Sequence, residues 1–231
     1  MKAPRKRAPK RPRSPRTDES KSDVTRRRLL ERALKLFQQR GVEATTMRDI
    51  ARAAGLSLGA AYYYFPSKDA LVFSFYEDNQ RDMEALAARA TGSLRERLGV
   101  IFHGKLESIR PHRKMLAAIV QRLVDPGDPL SAFSQQSRSV RERAIAVIRD
   151  ALVDVPPALV PLAAHALWLL MLAMMLVYIN DDSPGEQRTH GLVDDALDMV
   201  VPMLPLLATP MGTAMVERVT AALSRAEISL R

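Results

Sequence analysis

The sequence predicts an all-α protein in two parts: a small helix-turn-helix head and a larger helical body. Three observations lead there. No stretch alternates apolar and polar residues with the period of two that a half-buried strand needs, whereas apolar residues recur every three or four positions from about residue 23 to 224. Between Thr46 and Phe65, two short helical patterns are joined by Gly55, Leu56 and Ser57, the layout of a helix-turn-helix. The charge is also lopsided. The 231-residue chain carries a net charge of +9, yet residues 1–28 hold twelve Lys and Arg against three acids, and residues 29–231 hold twenty-three of each. A neutral body behind a cationic leading segment points to a polyanionic partner, nucleic acid first and an anionic membrane surface second.

Residues 1–22 read as a disordered basic arm, because Pro4, Pro9, Pro12 and Pro15 interrupt any helix among its Lys and Arg. Such an arm is either a solubilising, non-specifically sticky tail or a segment that follows phosphates and enters the minor groove. It lacks the apolar run of a secretory signal, so the expected location is the cytoplasm. A first helix is expected from about Asp23 to Gln39, capped by Ser22 or Asp23. Leu30, Ala33, Leu34 and Phe37 form its buried stripe, and Gly41 ends it. Arg26, Arg27 and Arg28 stand near its N-terminus against the helix dipole, a placement that makes sense beside DNA phosphates.

The head completes itself over residues 46–65. Thr46 is the expected N-cap of a helix over Met47–Ala54, with Asp49 placed to return the hydrogen bond. Gly55 supplies the backbone that ends it, Ser57 caps a second helix from Leu58 to Tyr64 or Phe65, and Pro66 stops that one. On the second helix Leu58, Ala61 and Phe65 share the packing side, while Gly59, Ala60 and Tyr63 point away and Tyr62 and Tyr64 flank them. Gly59 and Ala60 let the backbone approach bases, with thymine methyls as contacts, and Tyr63 reaches outward from the same face. Leu58, which opens the reading helix, belongs to the same DNA-binding set. Arg48 is the candidate for bidentate guanine readout. Thr46, Ser57, Tyr62 and Tyr64 are candidate phosphate contacts. Few of these side chains can make base-specific hydrogen bonds, so DNA shape is expected to carry part of the specificity.

This run resembles the DNA-binding domain of the TetR (tetracycline repressor) family, T-x-x-x-I-A-x-x-A-G-(V/L)-S-x-G-x-x-Y-x-(H/Y)-F-x-x-K-x-x-L. The matching residues are Thr46, Ile50, Ala51, Ala54, Gly55, Leu56, Ser57, Gly59, Tyr62, Tyr64, Phe65, Lys68 and Leu71. One departure is Ala61, where the family more often has a larger apolar residue. The resemblance implies a homodimeric transcriptional regulator, a repressor that binds a palindromic operator and is released by a small molecule. It also implies that Lys68 contacts a phosphate, that the helix after Ser67 couples head to body, and that the last two long helices pair with their copies. The remaining alternative is a non-specific or architectural DNA-binding protein without ligand control.

The body follows as a series of helices. One runs from Ser67 to about Ala90, then 94–109, 112–124, about Ser131–Leu152, Ala158 to about Asn180, Thr189 to about Leu204 and Thr213 to about Ser224. Loops are expected at 125–129 and 181–186, Pro202 and Pro205 should bend or end their helix, and Asp194, Asp195 and Asp198 should be exposed. The domains are accordingly expected as a head over 23–70, a ligand-binding and dimerisation domain over 71–208, and a C-terminal helix or tail over 209–231. From Pro161 to Ile179, His165 is the only clearly polar side chain. The run is long enough to span a bilayer but is better read as a helix buried on both faces. Phe102, His103, Met115, Ile119, His165, Trp168, Met171, Met175 and Tyr178 are the candidates for lining an inducer cavity, with the two histidines as polar handles.

Other chemistries find little footing. The chain has no cysteine, its four histidines show no metal-ligand spacing, and no cofactor is expected. Gly55–Gly59 reads G-x-S-x-G, but a nucleophile elbow needs a strand before the serine, and here a helix precedes it.

Overall fold

The computed structural model describes residues 20–207 and 209–225, so the basic arm as far as residue 19 and the last six residues lie outside the described part. Within it are eleven α-helices and no strand. The first four form the head and its stem: α1 (Lys21–Arg40), α2 (Met47–Ala53), α3 (Leu58–Tyr64) and α4 (Lys68–Ala87). The body adds α5 (Leu94–Ile109), α6 (Arg113–Ala118), α7 (Val120–Val124), α8 (Arg138–Ala151), α9 (Val160–Ile179), α10 (Gln187–Leu206) and α11 (Pro210–Arg225).

Local chemistry sets most of the boundaries. α1 starts earlier than expected, because Ser20 rather than Ser22 or Asp23 is the cap. The Ser20 hydroxyl accepts the Asp23 N–H at 3.1 Å, and the Asp23 carboxylate accepts the Ser20 N–H at 3.3 Å. Leu29, Leu30, Ala33 and Phe37 are its buried stripe, with Leu34 half-buried. The long helix expected at 131–152 begins only at Arg138. Three buried serines hold the preceding residues in turns: the Ser134 hydroxyl donates to the Pro129 carbonyl at 2.8 Å and the Ser137 hydroxyl to the Ser131 carbonyl at 2.5 Å. Serine side chains that bond nearby backbone compete with the helical ladder in this way. The helix expected over 112–124 breaks into α6 and α7 at Ile119 (φ −112°, ψ 9°).

α10 runs on through Pro202 and Pro205 to Leu206, where the prolines were expected to bend or end it. Both rings stand on its exposed side, where water can meet the carbonyls they leave unpaired. Asp195 and Asp198 are exposed as expected, but Asp194 is half-buried by its ion pair with Arg95.

α9 is long and apolar enough to cross a membrane by length and composition, yet one side of it is core. Ala163, Ala164, Leu167, Trp168, Met171, Met174 and Tyr178 are buried against α6, α8 and α10, while Leu169, Leu176 and Val177 are exposed. Exposed apolar side chains continue on α10 at Leu192, Met199, Met203 and Leu206.

The α9–α10 corner is fixed by one buried carboxylate. Asp181 accepts the Ser183 N–H (2.9 Å) and hydroxyl (2.6 Å) and the Thr189 N–H (2.8 Å) and hydroxyl (2.7 Å). Burial by itself would raise its pKa; the four hydrogen bonds outweigh that and hold the carboxyl far below the usual carboxylate range. Asp181→Ala should therefore lower stability at neutral pH by about 1–3 kcal/mol, read as a drop in Tm. The folded-state pKa is depressed, so this stabilisation is complete above the unfolded value of about 4 and is lost as pH falls below it. The gap in Tm between wild type and variant should shrink correspondingly in acid.

Candidate nucleic-acid interface and ligand chamber

The head is built on two capped helices and one turn. Thr46 Oγ1 accepts the Asp49 N–H at 3.1 Å and donates to Asp49 Oδ2 at 2.6 Å, and the same carboxylate accepts the Thr46 N–H at 3.1 Å. These bonds lower the Asp49 pKa, the Thr46 hydroxyl contributing most. α2 ends in a Schellman turn: the Leu56 N–H reaches the Ala51 carbonyl at 2.9 Å and the Gly55 N–H the Arg52 carbonyl at 3.1 Å, with Gly55 at φ +68°. The Ser57 hydroxyl then accepts the Ala60 N–H at 3.1 Å to start α3. That hydroxyl follows a helix and serves as a cap, with none of the strained strand-to-helix geometry of a nucleophile elbow.

α3 is pinned by Ala61 and Phe65, both fully buried, so a small residue at 61 suits the close approach of α3 to α2. Leu58 and Tyr64 are half-buried against the same core. The opposite side is open. Tyr63 is 82% exposed and Tyr62 48%, and Arg48 on α2 is exposed as well. A Cβ placed on Gly59 would meet nothing within 4 Å, and its φ is not positive. Nothing inside the fold therefore requires glycine there; what it leaves free is room for something outside.

Two residues expected beside phosphates also hold the head together. The Lys68 ammonium turns inward and donates to the carbonyls of Val42 (2.7 Å) and Glu43 (3.2 Å), tying the α1–α2 loop to the start of α4. Arg26 lies 4.7 Å over the Phe65 ring and donates to the Ser74 hydroxyl at 3.1 Å, so it braces the head from within.

The body holds a half-open chamber of about 380 Å³ walled by α4, α5, α6, α7, α8, α9 and the loop before α8, with exposed Val124, Phe133, Leu169 and Leu176 in its lining. Of the residues expected to line it, Trp168, Met171 and Met175 do. Phe102, His103, Met115, Ile119, His165 and Tyr178 do not. Ile101 faces the chamber, which leaves Phe102, one residue on, in the solid core, and turns His103 to the other side of α5. There His103 Nδ1 meets His190 Nδ1 at 2.8 Å and its Nε2 meets Asp194 at 3.0 Å. Met115 and Ile119 are buried core, His165 bonds the Pro161 carbonyl at 2.8 Å, and Tyr178 is packed under Arg113, 5.0 Å from ring to guanidinium.

The chamber's polar wall comes from residues the sequence reading passed over: Tyr76, Asn79 and Gln80 on α4 and Lys105 on α5. A signal for Lys105 exists, since it falls on the buried stripe of Leu98, Ile101, Phe102 and Ile109, where a lysine is out of place. Its ammonium donates to the Asn79 side-chain oxygen. Desolvation, with no neighbouring charge contributing, pushes its pKa down to about 8.

Head and body meet at the first turn of α4. Arg122 on α7 makes a fork to Asp69 (3.1 and 2.9 Å) and a third bond to Asp128 at 2.7 Å. Gln38 on α1 bonds His112 at 3.0 Å, and the His112 ring packs 4.5 Å from Phe75.

Comparison with known proteins fits this geometry. A family model described as "Bacterial regulatory proteins, tetR family" matches residues 29–75, and one described as "Tetracyclin repressor-like, C-terminal domain" matches residues 97–215. The transcriptional repressor KstR2 of Rhodococcus jostii is 47% identical over 58 residues, 25% of this chain and 28% of that protein. The transcriptional regulator BetI of Agrobacterium fabrum is 39% identical over 89 residues, 37% of this chain and 43% of that protein. The chain thus spans less than half the length of these curated relatives. Among solved structures, a TetR regulator from Nitrosomonas europaea superposes with a TM-score of 0.62 at 18% identity, covering 76% of this chain and 97% of that one. A tetR-family regulator from Streptomyces coelicolor gives 0.56 at 24%, covering 87% and 98%. With one model spanning the helix-turn-helix and the other just over half of the whole sequence, the chain belongs to the TetR family of bacterial transcriptional regulators.

Proposed function

We propose that this protein is a cytoplasmic repressor that binds an inverted-repeat operator as a homodimer and leaves it when a small molecule fills the body's chamber. The single observation that carries the DNA reading is the outer side of α3. Exposed Tyr62 and Tyr63 flank a glycine that the fold does not need, beside exposed Arg48. A small-faced helix with hydroxyl-bearing edges suits close entry into the major groove with phosphate contacts at its margins. Arg48 is the base reader; Thr46 and Ser57, both exposed, and half-buried Tyr64 are the phosphate contacts. Lys68 supports the interface by holding the α1–α2 loop in place.

Exposed Val177 on α9 with Leu192, Met199, Met203 and Leu206 on α10 supports dimerisation; Leu169 and Leu176, also exposed on α9, line the chamber as well. Covering such a strip is worth about 25 cal/mol per Å² of apolar surface removed from water, and two copies of one helix pair can cover each other by two-fold symmetry. Control by ligand requires that the chamber and the head share an element with two positions. Leu123 and Val124 on α7 line the chamber, and Arg122 beside them grips Asp69 at the start of α4. A ligand that shifts α7 would therefore turn α4 and change the spacing of the two reading heads.

DNA fragments retained by the purified protein should share an inverted repeat when sequenced. Met203→Glu should yield a monomer by light scattering that no longer selects it. Arg48→Ala should cost about 1–3 kcal/mol at one operator position, whereas an even loss across all sequences would make Arg48 a phosphate contact. Arg122→Ala should leave operator affinity within about threefold yet blunt its response to ligand, measured by fluorescence anisotropy of a labelled operator, because a lost coupling of about 1–3 kcal/mol acts on the response and not on the site.

A further inference from the structure

The chamber is apolar nearly throughout, with Phe75, Met83, Ile101, Trp168, Met171 and Met175 among its walls. Lys105 interrupts it. Among the described residues this half-buried ammonium has no carboxylate partner, and the Asn79 side-chain oxygen is its acceptor, leaving donors unused. The group is held in place by a short relay: the Ser108 hydroxyl donates to the Lys105 carbonyl at 2.7 Å, and the Asn79 amide donates to the Ser108 hydroxyl at 2.8 Å. Arg141, the other cation on the wall, already donates to the carbonyls of Ala132 (2.8 Å) and Ser134 (3.1 Å). Tyr76 adds a second incomplete group, a buried hydroxyl on the same chamber with no hydrogen-bond partner.

Holding an unpaired cation away from water is costly, and the cost is recovered only when an anion arrives. With its pKa near 8 the ammonium still carries its charge at neutral pH. A neutral apolar guest would leave that charge uncompensated, a cationic guest would be repelled, and a guest of several negative charges would find one free counter-charge. We propose that the chamber takes an apolar molecule bearing a single carboxylate, whose oxygens are held by Lys105 while its hydrocarbon part lies along Trp168, Met171 and Met175. The assignment rests on reading the chamber as the effector site. A volume of about 380 Å³ lies at the lower end of the roughly 300–1,000 Å³ usual for small-molecule sites, which suits a medium-length chain.

Trp168 is the only tryptophan in the protein and stands on the chamber wall, so its fluorescence reports occupancy without reference to DNA. The full-length protein would be titrated with decanoate, decanol and decylamine, which share one chain and differ in the charge of the head. Decanoate should bind roughly tenfold or more tighter than decanol, as expected for a charge-assisted hydrogen bond in a desolvated site, and decylamine no tighter than decanol. Lys105→Met and Lys105→Gln, each checked for native circular dichroism, should bring decanoate to the level of decanol. Equal binding of decanoate and decanol by the wild type, no response to any of the three, or a preference that survives both substitutions would overturn the proposal. Release of labelled operator is measured separately: decanoate that binds with the expected preference but leaves the operator complex intact would confirm the guest and remove the release step.

Discussion

The first turn of α4 is where head, stem and body are fastened together. Lys68 reaches back to two carbonyls of the α1–α2 loop, and Asp69 reaches across to Arg122 on α7. Consecutive residues thus fasten the stem to the head on one side and to the body on the other. A forked guanidinium–carboxylate contact is directional as well as attractive, so it fixes the orientation of α4 against α7 more closely than an apolar contact would. Phe75, one turn and a half further on, packs on His112 and also lines the chamber, giving the same helix a second grip on the body.

The parts of the fold that were legible in the sequence are those fixed by neighbours in the chain. Thr46 with Asp49, Gly55, and Ser57 before Leu58 each mark a helix boundary through bonds that span three to five residues, and each does so in the structure. Ser131, Ser134 and Ser137 show the limit. Helical periodicity continues through them, but their hydroxyls bond backbone that a helix would have needed, and the turns win. Ser22 and Asp23 fit the cap pattern nearly as well as Ser20 does, and the reciprocal bond with Asp23 decides in favour of Ser20.

The chamber was much less legible, and for a different reason. Whether Ile101 or Phe102 faces a cavity depends on the rotation of α5 against α4 and α8, which no local pattern fixes. Methionines and a tryptophan at helical spacing on α9 were enough to find part of one wall. Of the two histidines expected there as polar handles, His103 belongs instead to a network with His190, Asp194 and Glu107 on the far side of α5, and His165 bonds the Pro161 carbonyl within its own helix. Lys105 was the informative residue, since a charge on an apolar stripe is costly to keep and its position, not its chemistry alone, gives it away.

The oily strip along α9 and α10 bears on how stability depends on protein concentration. A subunit folded alone presents Met199, Met203 and Leu206 to water, and anything that covers them in the folded state raises stability by mass action. With a second copy as the cover, as proposed above, thermal resistance would rise with the protein's own concentration.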